Sequence, residues 1–184
     1  MDFSRIEDNE LYELMKREKS REGAFKEVYS RYSTRVFQYC RRILGNQTEA
    51  EDVFQDTFIA FLNSVSEERI VTNMPGFLLR IARNQSYNVK RENRQVMLQI
   101  DDLEIGFTEE KLEKTELSAM IVSAMDLLPD DQREALVLQM YEDMSYQEIA
   151  EFLDVPVSTV RNWLIRAKRK LKEILTPYME GDIK

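Results

Sequence analysis

Histidine is absent from this 184-residue sequence. With it go the commonest general base and the commonest transition-metal ligand, so hydrolytic or zinc chemistry is a poor starting expectation. There is one cysteine, Cys40, which excludes an internal disulfide and suits a reducing, cytoplasmic setting. Five glycines and four prolines leave little punctuation. Strands need a turn every few residues, so that scarcity favours helices. No apolar run approaches the ~18 residues of a membrane span. The N-terminal MDFSRIEDNELYELMKREK is too charged for a secretory signal, and no membrane insertion is expected.

What is present is 43% apolar residues and an uneven charge that sums to -8. Residues 43–66 hold no Lys or Arg, only Glu49, Glu51, Asp52 and Asp56. Residues 80–94 reverse this, with Arg80, Arg83, Lys90, Arg91 and Arg94 against Glu92 alone. Acid returns in Asp101, Asp102, Glu104, Glu109, Glu110, Glu113 and Glu116. The end of the chain carries Arg161, Arg166, Lys168, Arg169, Lys170 and Lys172. Two basic islands separated by an acidic bridge imply two nucleic-acid contacts on two bodies.

Apolar periodicity supports an all-α fold of two small helical domains. Ala24, Phe25, Val28, Tyr32, Val36, Tyr39 and Ile43 recur at helical steps, and Gly45 supplies the stop. Thr48 and Glu51 have the spacing of a capping box for the next helix, whose stripe is Ala50, Val53, Phe54, Thr57, Phe58 and Phe61. Asn73 and Pro75 open a third helix that carries Phe77, Leu78, Ile81 and Ala82. The first domain is expected over 8–95 and an acidic linker over 96–117, with room for a short helix from Glu109 onward. The second domain, 118–178, packs four helices into roughly 60 residues. Their signals are Ala119, Ile121, Val122, Met125 and Leu128, then Pro129 with Asp130 as a cap for Ala135, Leu136 and Leu138. A capping box at Ser145 and Glu148 opens the third, with Ile149, Ala150 and Leu153. Pro156 and Ser158 start a last helix that should end near Leu175, before Pro177.

Residues 144–172 read as a helix–turn–helix, in which one helix braces another in the major groove. Ala150 is small enough for close helix approach, and Leu153-Asp154-Val155-Pro156 makes the bend. On the last helix Val160, Leu164, Ala167 and Leu171 share one face at ~100° per residue. Ser158, Arg161, Asn162, Ile165, Arg166 and Arg169 share the other. Arg and Asn can pair bidentately with guanine and adenine edges, while Lys168, Lys170 and Lys172 suit phosphates. Basic amphipathic helices also suit membrane surfaces, but here the apolar stripe is narrow. Trp163, at the stripe's edge, either packs inside or touches the DNA backbone.

Three segments in order resemble the sigma-70 superfamily, in its short extracytoplasmic-function (ECF) group. They are YSRYSTRVFQYCRRILGNQTEAEDVFQDTFIAF, FLLRIARNQSYNVKRENR and LPDDQREALVLQMYEDMSYQEIAEFLDVPVSTVRNWLIRAKRKL. The resemblance implies sigma domains 2 and 4 and a transcription initiation factor that performs no bond-making itself. Asp52, Gln55 and Asp56 would dock on the clamp helices of the polymerase β′ subunit, and the second domain would meet the β flap. Arg80, Arg83, Asn84, Tyr87, Asn88 and Arg91 would lie on the -10 recognition and melting surface. The preceding loop, 64–76, would capture a flipped base, and Tyr87 either stacks on a base or packs inside. Ser158, Thr159, Arg161, Asn162, Ile165, Arg166, Lys168 and Arg169 would contact the -35 duplex. Partners so implied are core RNA polymerase and promoter DNA, with an anti-sigma factor as a further partner frequent in the family; no catalytic residue, metal or cofactor is implied. Departures from the family pattern are Ser158-Thr159-Val160 for Gly-Thr-Val, Asn162-Trp163 for Ser-Arg, Asn88 for Asp and Phe77 for Trp. Two other readings stay open: a free-standing helix–turn–helix regulator with a helical sensing domain, and an enzyme holding metal on Glu49, Asp52 and Asp56.

Overall fold

The computed structural model describes residues 3–65, 69–97 and 116–179. All regular structure among them is helical, and the chain divides into two units after Ile100. The linker expected over 96–117 lies almost wholly outside the described residues, as does the helix considered from Glu109 onward.

The first unit contains α1 (Asp8–Met15), α2 (Glu18–Leu44), α3 (Gln47–Asn63) and α4 (Met74–Met97). The long α2 packs against each of the other three, because its stripe of Ala24, Val28, Val36, Tyr39, Cys40 and Ile43 is buried. Phe25 and Tyr32 lie at the rim of that stripe, half-buried. Gly45 ends α2 with φ 74°, a left-handed turn that glycine makes without a Cβ penalty. The capping box expected at Thr48 and Glu51 does not form. Asn46 takes the position instead, its Oδ1 accepting from the Glu49 N–H, so α3 begins one residue before Thr48. Asparagine at this site satisfies an orphan donor of the first turn, the Glu49 N–H, and the earlier start places Thr48 inside the helix. Thr57, a polar residue in the buried stripe, donates its hydroxyl to the Val53 carbonyl at 2.7 Å.

The short α1 is an element that periodicity over eight residues did not disclose. Its Leu11, Tyr12 and Met15 are fully buried. Arg31 on α2 fastens the segment before it, donating to Asp8 Oδ1 and to the carbonyls of Phe3 and Ser4, each at 3.1 Å. The Tyr32 hydroxyl donates to the other Asp8 oxygen.

The second unit contains α5 (Glu116–Asp126), α6 (Asp130–Tyr141), α7 (Tyr146–Leu153) and α8 (Val157–Met179). Helices α5, α6 and α7 all pack on α8. Val160, Leu164 and Ala167 of α8 are completely buried at that junction, while Leu171 is only partly covered. Asp130 does not cap α6: it is the first helical residue, with Pro129 before it and no side-chain cap. The expected stop before Pro177 is also displaced, since α8 continues to Met179. Proline there removes a backbone donor only in the last turn, and the Thr176 hydroxyl donates to the Lys172 carbonyl at 2.7 Å. Arg133, almost fully buried, closes α5 from α6. Its Nε donates to the Met125 carbonyl at 3.0 Å and another guanidinium nitrogen to the Asp126 carbonyl. A helix C-terminus leaves carbonyls unpaired, and the guanidinium supplies their donors and a matching charge.

Two measurements follow from this packing. Leu164→Ala should lower the stability of the second unit by about 2–5 kcal/mol in urea unfolding, whereas Ile165→Ala, one residue on and exposed, should change it by less than about 0.5 kcal/mol. Burial pushes the Cys40 thiol up to about 12. Below its ordinary value the thiol is neutral whether folded or not; between there and about 12 only the unfolded chain ionises, so this contribution to stability is lost as pH rises. Cys40 should therefore resist a maleimide reagent at pH 8 until urea unfolds the chain.

Candidate nucleic-acid interface

Helix α4 sorts its residues by face. Leu78, Leu79, Ala82 and Ser86 are buried, and Arg80, Asn84, Asn88 and Arg91 are exposed at three- and four-residue steps on the other side. Arg83 and Tyr87 are half-buried beside them, with the Arg83 guanidinium 4.8 Å from the centre of the Tyr87 ring. The cation lies over the ring, so guanidinium and phenol are presented together rather than Tyr87 alone. Arg91 donates to Asn88 Oδ1 at 3.3 Å, which orients that amide. The exposed row thus carries amide and guanidinium groups suited to base edges and phosphates.

The segment leading into α4 is held at both ends by aromatic contacts. The Tyr12 hydroxyl donates to the Ser64 carbonyl at 3.2 Å, and the Tyr12 ring lies 6.4 Å from Phe61. Phe61 meets Phe77 edge to face at 6.0 Å, and the Arg69 guanidinium sits 5.1 Å from the Phe77 ring centre. Val71 and Met74 are buried, and the Asn73 side chain accepts from the Gly76 N–H at 2.9 Å. Ile70, between the pinned Arg69 and the buried Val71, is 80% exposed. Residues 64–76 were expected as one base-capturing loop, but 74–76 already belong to α4, and the seat of Arg69 on Phe77 carries no local sequence signal. Residues 66–68 of that loop lie outside the described residues.

On α3, Asp52, Gln55 and Asp56 are exposed on one flank, together with Ile59, which is 57% exposed. Glu49 is half-buried and accepts from Asn93 of α4 at 2.8 Å. Beside this flank runs an aromatic cluster: Tyr29 contacts Phe25, Phe54 and Phe58, and Phe54 contacts Phe37. Tyr29 is 41% exposed. Among the described residues no three acidic or cysteine side chains are grouped to hold a metal ion.

In the second unit the turn between α7 and α8 sets the geometry. Ser145 and Glu148 form a reciprocal capping box, and the Ser145 hydroxyl and backbone N–H together hold the Glu148 carboxyl below its usual value. Asp154 then adopts φ 57°, and the Val155 N–H returns to the Ala150 carbonyl at 3.0 Å. Beyond it Ser158, Arg161, Asn162, Ile165, Arg166, Lys168 and Arg169 are exposed, Thr159 and Trp163 half-buried. Arg169 pairs with Glu173 at 3.8 Å along the surface. A buried stripe on one side and a cationic, amide-bearing face on the other is what a helix lying in a major groove requires.

Residues 28–96 match the family model for sigma-70 region 2, and residues 118–171 match that for sigma-70 region 4. The chain belongs to the sigma-70 family, in its ECF group. It is 29% identical to the ECF RNA polymerase sigma factor SigW of Bacillus subtilis, over 85% of this chain and 91% of that one. The ECF sigma factor SigE of Mycolicibacterium smegmatis is 31% identical, over 83% of this chain and 62% of its own. RNA polymerase sigma-H factor of Pseudomonas aeruginosa is 28% identical over 94% and 96%. The fold is shared with a sigma factor of Bartonella quintana solved with its anti-sigma factor NepR, at TM-score 0.69 and 22% identity over 83% of this chain and 96% of that one. It is shared as well with CnrH, solved with the cytosolic domain of CnrY, at TM-score 0.68 and 24% identity over 92% and 97%. In this ECF chain the region 2 match takes in α3 and nearly all of α4, and the region 4 match takes in α6, α7 and most of α8.

Proposed function

We propose that this ECF sigma factor joins core RNA polymerase through its first unit, opens promoter DNA along α4 and holds the -35 duplex with α8. The observation that carries the reading is the presence of two separate cation-bearing faces, one in each family-matched unit, on a chain whose net charge is -8. Each helix buries its apolar stripe inside its own unit and leaves amide and guanidinium groups outward. An acidic chain is repelled from DNA at long range, so binding gains specificity from assembly with the polymerase. Bond formation belongs to the polymerase; this chain positions and separates strands. The setting is the cytoplasm, where transcription takes place, and no described helix is long and apolar enough to cross a membrane.

Asp52, Gln55 and Asp56 dock on the β′ clamp helices in this reading. Support comes from their exposure beside Ile59 and Tyr29, an acidic rim around apolar side chains that fits a basic, amphipathic helical partner. The second unit docks on the β flap, and its exposed Leu127, Met140 and Tyr141 are apolar groups available for such a contact. On α4 the roles fall to Arg80, Arg83, Asn84, Tyr87, Asn88 and Arg91, with 64–76 taking up a flipped base. The pinning of Arg69 on Phe77 supports that role, since a held loop loses less entropy on binding. An anti-sigma factor would compete for these surfaces.

Run-off transcription with core polymerase tests the reading. Promoter-dependent transcripts should require this chain, and their absence from every promoter selected with the holoenzyme would sink it. A free-standing regulator would instead shift duplex sites tightly without polymerase. Asp52→Arg should weaken capture of core polymerase at least tenfold in a pull-down while leaving the thermal unfolding curve unchanged; equal capture would remove Asp52 from the docking surface.

A further inference from the structure

Tyr12 belongs to a column of rings that runs from α1 to the loop before α4. Its ring centre lies 6.4 Å from that of Phe61, and Phe61 meets Phe77 at 6.0 Å. Each end of the column carries a cation. Lys16 Nζ is 5.4 Å from the Tyr12 ring centre, and the Arg69 guanidinium is 5.1 Å from that of Phe77. Rings at such separations attract one another, and a cation over a ring adds to the pull. Arg69 thus has its seat at the far end of a stack that begins on α1.

Packing alone does not call for a tyrosine at this position. Leu11 and Met15 beside it are fully buried and wholly apolar, and phenylalanine would fill the same space as Tyr12. A hydroxyl taken out of water costs free energy unless it finds a partner. The Tyr12 hydroxyl finds one 52 positions along the chain, donating to the Ser64 carbonyl at 3.2 Å. Ser64 is the C-cap of α3, where carbonyls run out of helical donors. The carbonyls just before it are paired locally, Phe61 with the Ser64 hydroxyl at 2.7 Å and Leu62 with the Val65 N–H at 3.3 Å. The Ser64 carbonyl takes its donor from α1 instead. That helix is itself fixed on α2, because Asp8 at its start accepts from both Arg31 and Tyr32. One side chain therefore acts on the loop twice: its hydroxyl sets where the loop leaves α3, and its ring supports the stack on which Arg69 rests.

We propose that Tyr12 is a positioning residue for base capture, its hydroxyl and ring holding the loop before α4 in the conformation that takes up the flipped base. In this way α1 governs strand opening without touching DNA. The inference rests on the reading that this loop takes up a base. It adds a distant residue, on a helix outside the loop, whose hydroxyl serves base capture and not attachment to the polymerase.

The test uses the holoenzyme of full-length chain and core polymerase, with the non-template strand of a promoter selected by that holoenzyme from a randomised pool. Each base of the -10 segment is replaced singly by an abasic site. Binding is read by fluorescence anisotropy at fixed salt, because phosphate contacts make affinity salt-dependent. One abasic position should weaken wild-type binding. Tyr12→Phe keeps the ring and removes only the hydroxyl. It should weaken binding of the intact strand about fivefold, the factor that ~1 kcal/mol for one hydrogen bond gives at 25 °C, since affinity falls with the fraction of loop in the competent state. On the strand abasic at that one position Tyr12→Phe should bind as wild type does, and its capture of core polymerase should be unchanged. The proposal is overturned if Tyr12→Phe binds the intact strand like wild type. It is equally overturned if Tyr12→Phe weakens intact and abasic strands by one factor, which would assign Tyr12 to stability alone. Arg69→Ala separates the two levels of argument. If it weakens only the intact strand while Tyr12→Phe weakens neither, the loop takes up the base and only the role of Tyr12 fails. If no abasic position matters to the wild type, the reading of the loop fails and takes the proposal with it.

Discussion

Everything in the second unit depends on one buried stripe of α8. Val160, Leu164 and Ala167 are the surface onto which α5, α6 and α7 all pack. Full burial of a side chain such as leucine or valine is worth about 1.5–3 kcal/mol, so a unit this small has few other sources of comparable size. Because an α-helix turns ~100° per residue, fixing that stripe also fixes the opposite face. Ser158, Arg161, Asn162, Ile165 and Arg166 point outward for the same reason that Leu164 points inward. Packing and the proposed recognition are thus one constraint seen from two sides. The turn before α8 keeps the angle: Asp154 in the left-handed region and the bond from Val155 to Ala150 admit little variation.

The first unit solves a different problem, presenting two chemically opposed surfaces on adjacent helices. Acidic groups sit on α3 and cations on α4, and the described tie at their ends is neutral on one side, Asn93 donating to Glu49 at 2.8 Å. The aromatic residues divide between two tasks as well. Tyr12, Phe61 and Phe77 form a column that ends under Arg69 and steadies the entrance to α4. Tyr29, Phe54 and Phe58 join α2 to α3 and leave part of Tyr29 in solvent beside the acidic flank.

Legibility in the sequence follows the range of the interaction. Gly45, the Ser145–Glu148 box and the two faces of α8 were readable because each depends on residues within one or two helical turns. The start of α3 was misread: Thr48 was expected as the cap, but Asn46, an equally good cap residue two positions earlier, accepts from the Glu49 N–H instead. Eight residues of α1 carry too short a pattern to show periodicity, and its Tyr12 finds partners about fifty residues away, at Phe61 and Ser64. Arg133 carries no local signal of its role; only the proximity of the α5 carbonyls reveals it as a buried cap. For the candidate site the residue types on α4 were legible, but the covering of Tyr87 by Arg83 and the anchoring of Arg69 on Phe77 were not.

The acidic net charge and the basic faces are parts of one electrostatic arrangement. A chain at -8 has a repulsive far field toward DNA, while in the proposed reading near contact is governed by the local rows on α4 and α8. Screening over about 8 Å at physiological ionic strength separates those two regimes. Diffusive capture of random DNA is therefore discouraged, and short-range recognition, once a partner has brought the chain to the duplex, is not. That separation requires the outward cations to be held in register when they arrive, since a floppy row would lose in ordering entropy what it gains in contacts. The buried stripe of α8 and the pinned entrance of α4 supply that order in advance, so the packing inside each unit is the condition for selectivity outside it.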